Sequence, residues 1–347
     1  MNHEQTRNQA EKKYFRSRLK ASFSLRELYK NIQKDLSEVE DQLKLFAHSP
    51  NKLIAEINSY LFQKTGKRIR PALLMLCSKL LGYQGQEHIL MSTIVEAIHT
   101  ASLIHDDIID NSKIRRGRES VHSRWGPNIT VLLGDYIYIK SIGLSLQSDH
   151  RQITNILSEI SAKMIEGELN EYYLSGNLAL AERDYLDIIH KKTASLFSVS
   201  CQIGGILAQA SEREEKYLRE FGKNLGMSFQ IIDDLLDFIG DEKTLGKPIL
   251  SDISEGRVTL PLIYSLNNDG QANRKRLIKL LNEKKFEDDS HQEEILAILK
   301  ANGALEYAYQ KAEEFSARSK EIIAQFPPSI HRDALILFPD YILIRSR

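Results

Sequence analysis

Two copies of one acidic cassette stand out, Asp106-Asp107-Ile108-Ile109-Asp110 and Asp233-Asp234-Leu235-Leu236-Asp237. Each sets three carboxylates at i, i+1 and i+4. On a helix the first and third are neighbours on one face, and the second lies about 100° round. Three like charges packed that closely repel unless a cation joins them. Carboxylate oxygens around Mg²⁺, with the remaining coordination left to water and phosphate, are the usual answer. Two such clusters facing each other would hold a diphosphate between them. With Asp at about 6% of residues, one DDxxD arises by accident in about one chain of this length in fourteen, and two in roughly a few per thousand. Both cassettes also lie inside apolar runs, TASLIHDDIID and FQIIDDLLDFIG. Uncompensated carboxylates are costly there, so a solvated acidic helix face is the weaker reading.

Cations suited to phosphate surround the cassettes in the sequence. Gly66-Lys67-Arg68-Ile69-Arg70-Pro71 packs three into four positions, and on a helix Lys67 and Arg70 would be i, i+3 neighbours able to grip one diphosphate. Arg115-Arg116-Gly117-Arg118 follows the first cassette, and His99 stands two helical turns before Asp106. Lys191-Lys192-Thr193 and Gln230 add donors, while Lys247 and Arg257 follow the second cassette. Each alone reads as an ordinary surface or core residue, as His105 does. Joint placement beside two acidic clusters is what gives them chemical meaning.

The elements that must position these residues are helical. Leu25, Leu28, Ile32, Leu36, Val39 and Leu43 recur at intervals of three or four, as do Leu53, Ile57 and Leu61. Stretches 72–82, 88–110, 129–147, 151–174, 183–209, 213–239, 258–267 and 292–323 read the same way. Breaks carry turn chemistry, as at Gly126-Pro127-Asn128 and Pro327-Pro328. No period-2 strand with hairpin punctuation is visible. Residues 240–257 form one long loop, kept non-helical by Gly240, Gly246, Pro248 and Gly256. The expectation is an all-α fold, one large antiparallel bundle of roughly ten or more helices over residues 23–347. Residues 1–22 are polar, with six Lys/Arg and two Glu, and read as a frayed extension. Peripheral attachment of that extension to anionic lipid is the alternative.

Composition limits the partners. Lys+Arg and Asp+Glu both number 47 among 347 residues, so no global field favours nucleic acid or an anionic membrane. At 42% hydrophobic and 27% charged, the chain can build a sizeable core. Cys77 and Cys201 sit in helix-like apolar surroundings without metal-ligand spacing and read as reduced core residues. With no secretory leader and no apolar run of membrane-spanning length, a cytoplasmic protein is expected.

The segments GKRIRP, HTASLIHDDIIDNSKIRRG, LGDYIYIKS, KKTASLF, GMSFQIIDDLLDFIGD and LGKPILSDISEGRVTLPL together resemble the trans-polyprenyl diphosphate synthases. The likeness covers most of residues 50–345. It is closer to the long-chain hepta- and octaprenyl members, which make quinone side chains, than to farnesyl diphosphate synthases. The resemblance implies the isoprenoid synthase bundle, with a central active-site cavity, and Mg²⁺ as cofactor, three ions per site. By the same resemblance Asp106, Asp110 and Asp233 coordinate metal, with Asp107, Asp234 and Asp237 in support. Arg115, Lys192, Lys247 and Arg257 bind the allylic diphosphate. Lys67, Arg70, His99 and Arg116 bind isopentenyl diphosphate, and Thr193 and Gln230 lie beside the developing carbocation. Homodimerisation is likewise implied by the family. Thr65 departs from the pattern, standing where many relatives have a second Gly before GKRIRP.

Product length follows from the wall along the first acidic helix. Short-chain relatives carry a bulky aromatic four or five residues before the first Asp; here Ser102 and Ala101 stand there. The next barrier is expected from the helix after Gly134, where Tyr138, Ile142 and Leu146 recur one turn apart, with Ile142 the candidate floor. A product longer than C20, in the C30–C50 range, is expected. Alternatives are a geranylgeranyl or farnesyl synthase and the catalytic subunit of a heteromeric synthase. A terpene cyclase gives no reason for a second diphosphate site, and a regulatory subunit would have eroded cassettes.

Overall fold

The computed structural model describes residues 25–63, 66–115, 117–240, 249–268, 270–286 and 288–344. Helices run in the order α1 Leu25–Leu28, α2 Gln33–Ala47, α3 Lys52–Phe62, α4 Ile69–Leu80, α5 Glu87–Ile109, α6 Val121–Trp125, α7 Pro127–Ser145 and α8 Arg151–Tyr173. They continue with α9 Glu182–Ile189, α10 Ser195–Leu207, α11 Glu212–Ile239, α12 Ser251–Ser254, α13 Leu260–Asn268, α14 Gln271–Glu283, α15 Asp289–Ala301, α16 Ala304–Ile323 and α17 Ile330–Ile344. The all-α expectation holds. Between α5 and α6 a minimal antiparallel ladder, Ile114–Arg115 with Arg118–Glu119, turns through Gly117 at φ +69°. Two residues per strand leave no alternation to read, which is why periodicity missed it. The polar extension 1–22 and Thr65 lie outside the described residues.

Helix α10 is the axis. All of its residues are buried, as a helix apolar on every side must be. It packs against α4, α5, α8 and α11, and so ties both acidic helices to one support. Its hydroxyls are satisfied internally: Ser195 Oγ donates to the Lys191 carbonyl, Ser200 Oγ to that of Leu196, and Ser198 Oγ to that of Arg219. The long α11 starts from a capping box, Ser211 with Glu214, and lies between α10 and α16.

Helix α5 shows how one element serves three environments. Ala97, Ala101 and Ile104 enter the main core. Met91, Ile94, Val95 and Ile98 enter a second apolar cluster shared with α8 and α10. His99, Ser102, Leu103, Asp106 and Asp110 face a cavity.

The stretch read as one helix over 183–209 is broken in the middle. His190–Ala194 form a π-helical turn between α9 and α10, a feature that inserts an extra residue and re-aims side chains. It is held closely from both sides. A Cβ on Gly167 of α8 would stand 2.6 Å from the Lys192 nitrogen, and one on Gly226 of α11 would stand 2.5 Å from the Ala194 Cα. Bare backbone at these two positions lets α8 and α11 clasp the turn. Gly226→Ala must push the π-turn outward, so it should cost roughly 1–3 kcal/mol of stability and lower turnover together with the thermal midpoint. Thermal denaturation and activity assays on the variant check both.

Candidate active site

The bundle encloses a cavity of about 1350 Å³, larger than the usual range of roughly 300–1,000 Å³ for one small ligand. Both acidic cassettes open into it, and both sit at the C-terminal ends of their helices. Asp106 and Asp107 lie in the last turn of α5 and Asp110 is its C-cap; the second cassette occupies the last two turns of α11. The negative end of a helix dipole adds to the carboxylates there, so the site concentrates negative potential from two directions.

The six carboxylates divide by environment. Asp106, Asp110, Asp233 and Asp234 line the cavity. Burial pushes Asp106 up to about 8, with Lys192 pulling down and Glu168 and Asp110 pushing further up. Among the described residues no hydrogen bond compensates it. Asp234 is buried and raised well above the usual carboxylate range by burial and by Asp252. It accepts hydrogen bonds from Tyr185 Oη at 2.6 Å and Gln230 Nε2 at 2.7 Å, and Thr193 Oγ1 donates to Gln230 Oε1 at 2.7 Å.

Asp107 and Asp237 depart from expectation. Asp107 turns to the far side of α5, where Arg115 holds it with Nε at 2.7 Å and Nη2 at 2.5 Å. Asp237 is fully buried, accepting from Ser251 Oγ at 2.7 Å and the Asp252 amide at 3.0 Å. Neither lines the cavity: the i+1 position of one helix and the i+4 position of the other are rotated into packing. Among the described residues no three acidic, His or Cys side chains close into a metal cage on their own. An open, partly filled carboxylate site is what a hard divalent cation shared with phosphate requires.

The cations expected near the cassettes also sort themselves. Lys67, Arg70, His99, Arg115, Lys192 and Arg257 line the cavity with Thr193 and Gln230. Arg116 and Lys247 lie outside the described residues. Lys67 and Arg70 do not share a helix, because α4 begins at Ile69 and Lys67 precedes its N-cap. Arg70 is buried, its guanidinium 4.6 Å from the Phe197 ring centroid, at the first turn of α4 where amides favour anions. Arg257 reaches back to the first cassette, with Nη1 3.1 Å from Asp110 and Nη2 3.1 Å from Asp252, and also pairs with Glu255. Of the adjacent lysines, Lys191 pairs with surface Asp187 while Lys192 turns inward.

Four residues of this site escaped the sequence reading. Glu168 and Glu171 of α8 both hold the Lys192 ammonium, Glu168 at 2.7 Å. Burial alone would lower that lysine, but Glu171, Asp106 and Glu168 outweigh it and keep it charged. Asp252 and Tyr185 complete the second cassette's surroundings. In sequence Glu168 and Glu171 look like any solvated i, i+3 pair, and only the π-turn brings Lys192 onto them.

Chain-length residues are likewise divided. Ser102 and Tyr138 line the cavity. Ala101 is buried in the main core instead, and Ile142 packs on the second apolar cluster. One residue is a 100° rotation on a helix, enough to move Ala101 off the wall.

Residues 51–299 match the polyprenyl synthetase family. The chain belongs to that family. It is therefore a prenyltransferase, with the all-α isoprenoid synthase fold. It is 34% identical to the octaprenyl diphosphate synthase of Haemophilus influenzae over 313 residues, 90% of this chain and 94% of that one. It is 36% identical to the geranylgeranyl diphosphate synthase of Saccharolobus solfataricus over 304 residues, 85% of this chain and 90% of that one. A polyprenyl synthase of Caulobacter crescentus, solved with calcium and isoprenyl diphosphate, superposes with a TM-score of 0.88 at 29% identity, covering 94% of this chain and 99% of its own. No described helix is long and apolar enough to cross a membrane.

Asp106 gives the site a measurable pH signature. A free Asp titrates near ~3.9, whereas the folded protein holds its proton up to about 8. Folding therefore takes up a proton between those values, and the Asp106 contribution to stability falls as pH rises from ~4, levelling off above 8. Asp106→Asn removes that penalty. Without metal, its thermal midpoint should exceed the parent's by a margin that grows towards pH 8, while the stabilisation by added divalent metal should be lost. Thermal denaturation across this range, with and without metal, checks both.

Proposed function

We propose that the chain is a long-chain all-trans polyprenyl diphosphate synthase, adding isopentenyl diphosphate units head-to-tail to an allylic diphosphate. The observation that carries this reading is one cavity into which two carboxylate jaws and a set of phosphate-binding donors, Lys67, Arg70 and His99, all open. Its volume and its lining by both acidic and cationic side chains suit two diphosphates at once.

Asp106, Asp110 and Asp233 fit a divalent cation, since they face the cavity and Asp106 lacks a compensating hydrogen bond. In this reading they hold Mg²⁺, three ions per site. When bound, the metal supplies Lewis-acid neutralisation of the departing diphosphate. The chain's own cations add to that neutralisation, with Lys192, Arg257, Arg115 and Lys247 gripping the allylic diphosphate as its C–O bond breaks. Lys192 and Arg257 are already seated beside the jaws by Glu168, Glu171, Asp110 and Asp252, so little rearrangement opposes binding. Thr193 and Gln230, locked by their hydrogen bond to each other and to Asp234, face the allylic carbon where positive charge develops. Lys67, Arg70, His99 and Arg116 hold isopentenyl diphosphate so that its double bond attacks that carbon. A proton is then lost from the new chain, with the released diphosphate as base. Closure around both substrates keeps water from the cation.

The growing chain has an apolar direction in which to run. Tyr138 and Met164 stand at the cavity wall and also contact the second apolar cluster. Between Asp106 and Glu87, α5 provides roughly five turns, each about the length of one isoprene unit. Met91 and Met164 are unbranched and adaptable, and so can yield to a product. A shorter product is the second reading, favoured by the bulky Tyr138 at the cavity wall. Purified chain given Mg²⁺, farnesyl diphosphate and isopentenyl diphosphate should make products of C30–C50, resolved by chromatography. Products ending at C15 or C20 would overturn the long-chain assignment, and inactivity of the chain alone would point to a heteromeric enzyme. Ser102→Phe, on the cavity wall, should shorten the product.

The same reading places a second copy of the chain on α7 and α8, and the enzyme in the cytoplasm. Leu132 and Ile139 of α7 and its C-cap Leu146 recur every seven residues and are 69%, 74% and 71% exposed. On neighbouring α8, Ile165, Leu169 and Tyr172 are exposed as well, the first two beside the cavity. Exposed apolar side chains recurring along one helix face suit an interface. Sedimentation should give a dimer at micromolar concentration, and Ile139→Glu should give a monomer.

A further inference from the structure

We propose that Tyr29 and Arg68 are positioning residues for isopentenyl diphosphate, fixing the backbone from which Lys67 reaches the cavity. The proposal rests on the reading of Lys67 as a ligand for that diphosphate. Lys67 lies on no helix and precedes the N-cap of α4. It is followed by Arg68 at φ +50°, a left-handed conformation that costs a non-glycine residue about 1 kcal/mol or more. Such strain persists only where the surroundings over-determine it.

Two contacts do so. The Arg68 guanidinium is 6% exposed and lies between two carboxylates from different helices. Glu40 of α2 accepts from Nε at 2.5 Å and from Nη2 at 3.0 Å, and Glu96 of α5 accepts from Nη1 at 2.5 Å. Arg68 touches the cavity wall between Lys67 and Arg70, but its guanidinium is directed at these two carboxylates. Its charge is spent on holding the turn. On the other side Tyr29 Oη donates to the Lys67 carbonyl at 2.6 Å across 38 residues. The Tyr29 ring is 6.2 Å from that of Phe338 in α17, so both ends of the described chain meet at this turn. Burial, with Tyr341 and Glu96 nearby, raises the Tyr29 phenol well above its ordinary value and keeps it a donor.

With the peptide that follows Lys67 pinned at its carbonyl and at the Arg68 side chain, the ammonium is presented to the cavity before substrate arrives. Loss of the tyrosine hydroxyl should then weaken one substrate and not the other. Tyr29→Phe in the full chain should raise KM for isopentenyl diphosphate about fivefold, equivalent to ~1 kcal/mol. KM for the allylic diphosphate should stay within about twofold, and the thermal midpoint should be little changed. An unchanged KM for isopentenyl diphosphate, or equal rises in both KM values, would overturn the proposal. Lys67→Ala run in parallel separates the two levels. If it raises KM for isopentenyl diphosphate while Tyr29→Phe does not, positioning fails and the site stands. If Lys67→Ala changes nothing, the site assignment fails and the positioning role goes with it.

Discussion

Negative charge gathered at two helix ends is the constraint on which the rest of this protein depends. Carboxylates are normally favourable at helix N-termini, where they meet the positive end of the dipole. Here two sets sit at C-terminal ends, partly out of water, with Asp106 pushed up to about 8 and Asp234 raised well above its ordinary range. A fold that tolerates this must surround the site with cations and give the carboxylates rigid supports. Arg115 on Asp107, Lys192 near Asp106, and Arg257 on Asp110 are those cations in the free protein. In the proposed function the remaining imbalance makes the cavity receptive to divalent metal and, through it, to diphosphate.

Rigidity comes from the buried α10 and the π-turn before it. Because α10 contacts both acidic helices, the distance between the jaws is set by core packing and not by a flexible loop. The π-turn moves Lys192 inward and leaves Lys191 outside. Gly167 and Gly226 bring α8 and α11 against it from opposite sides. The proposed phosphate-binding Lys192 thereby stands on a scaffold element, which suits chemistry that depends on positioning and electrostatics more than on an activated nucleophile.

Much of the site was legible because charge is hard to hide in apolar sequence. A DDxxD inside FQIIDDLLDFIG announces a function, since nothing about core packing calls for three acids there. The outlines of the long helices followed from apolar spacing in the same way. Less visible were decisions that turn on a single residue of rotation. Asp107 looks like Asp106, and Ala101 like Ser102, yet each pair is split between core and cavity. Ile142 packs on the second cluster while Tyr138, one turn away, reaches the cavity wall. Glu168 and Glu171 had no sequence signal, because their partner approaches from another helix.

By itself the sequence determined the all-helical class, the two acidic clusters, the family resemblance and the pool of cations from which the site is built. Those properties are local: periodicity, composition and spacing along one chain. The tertiary structure alone decided which member of each pool faces the cavity. Asp234 lines the cavity while Asp237 is taken up by Ser251 and the Asp252 amide, and the Arg68 guanidinium is held by Glu40 and Glu96. These choices depend on distant segments meeting, and on a helix rotation of about 100° per residue that packing fixes. Spacing along the chain cannot encode what another helix brings to the far side.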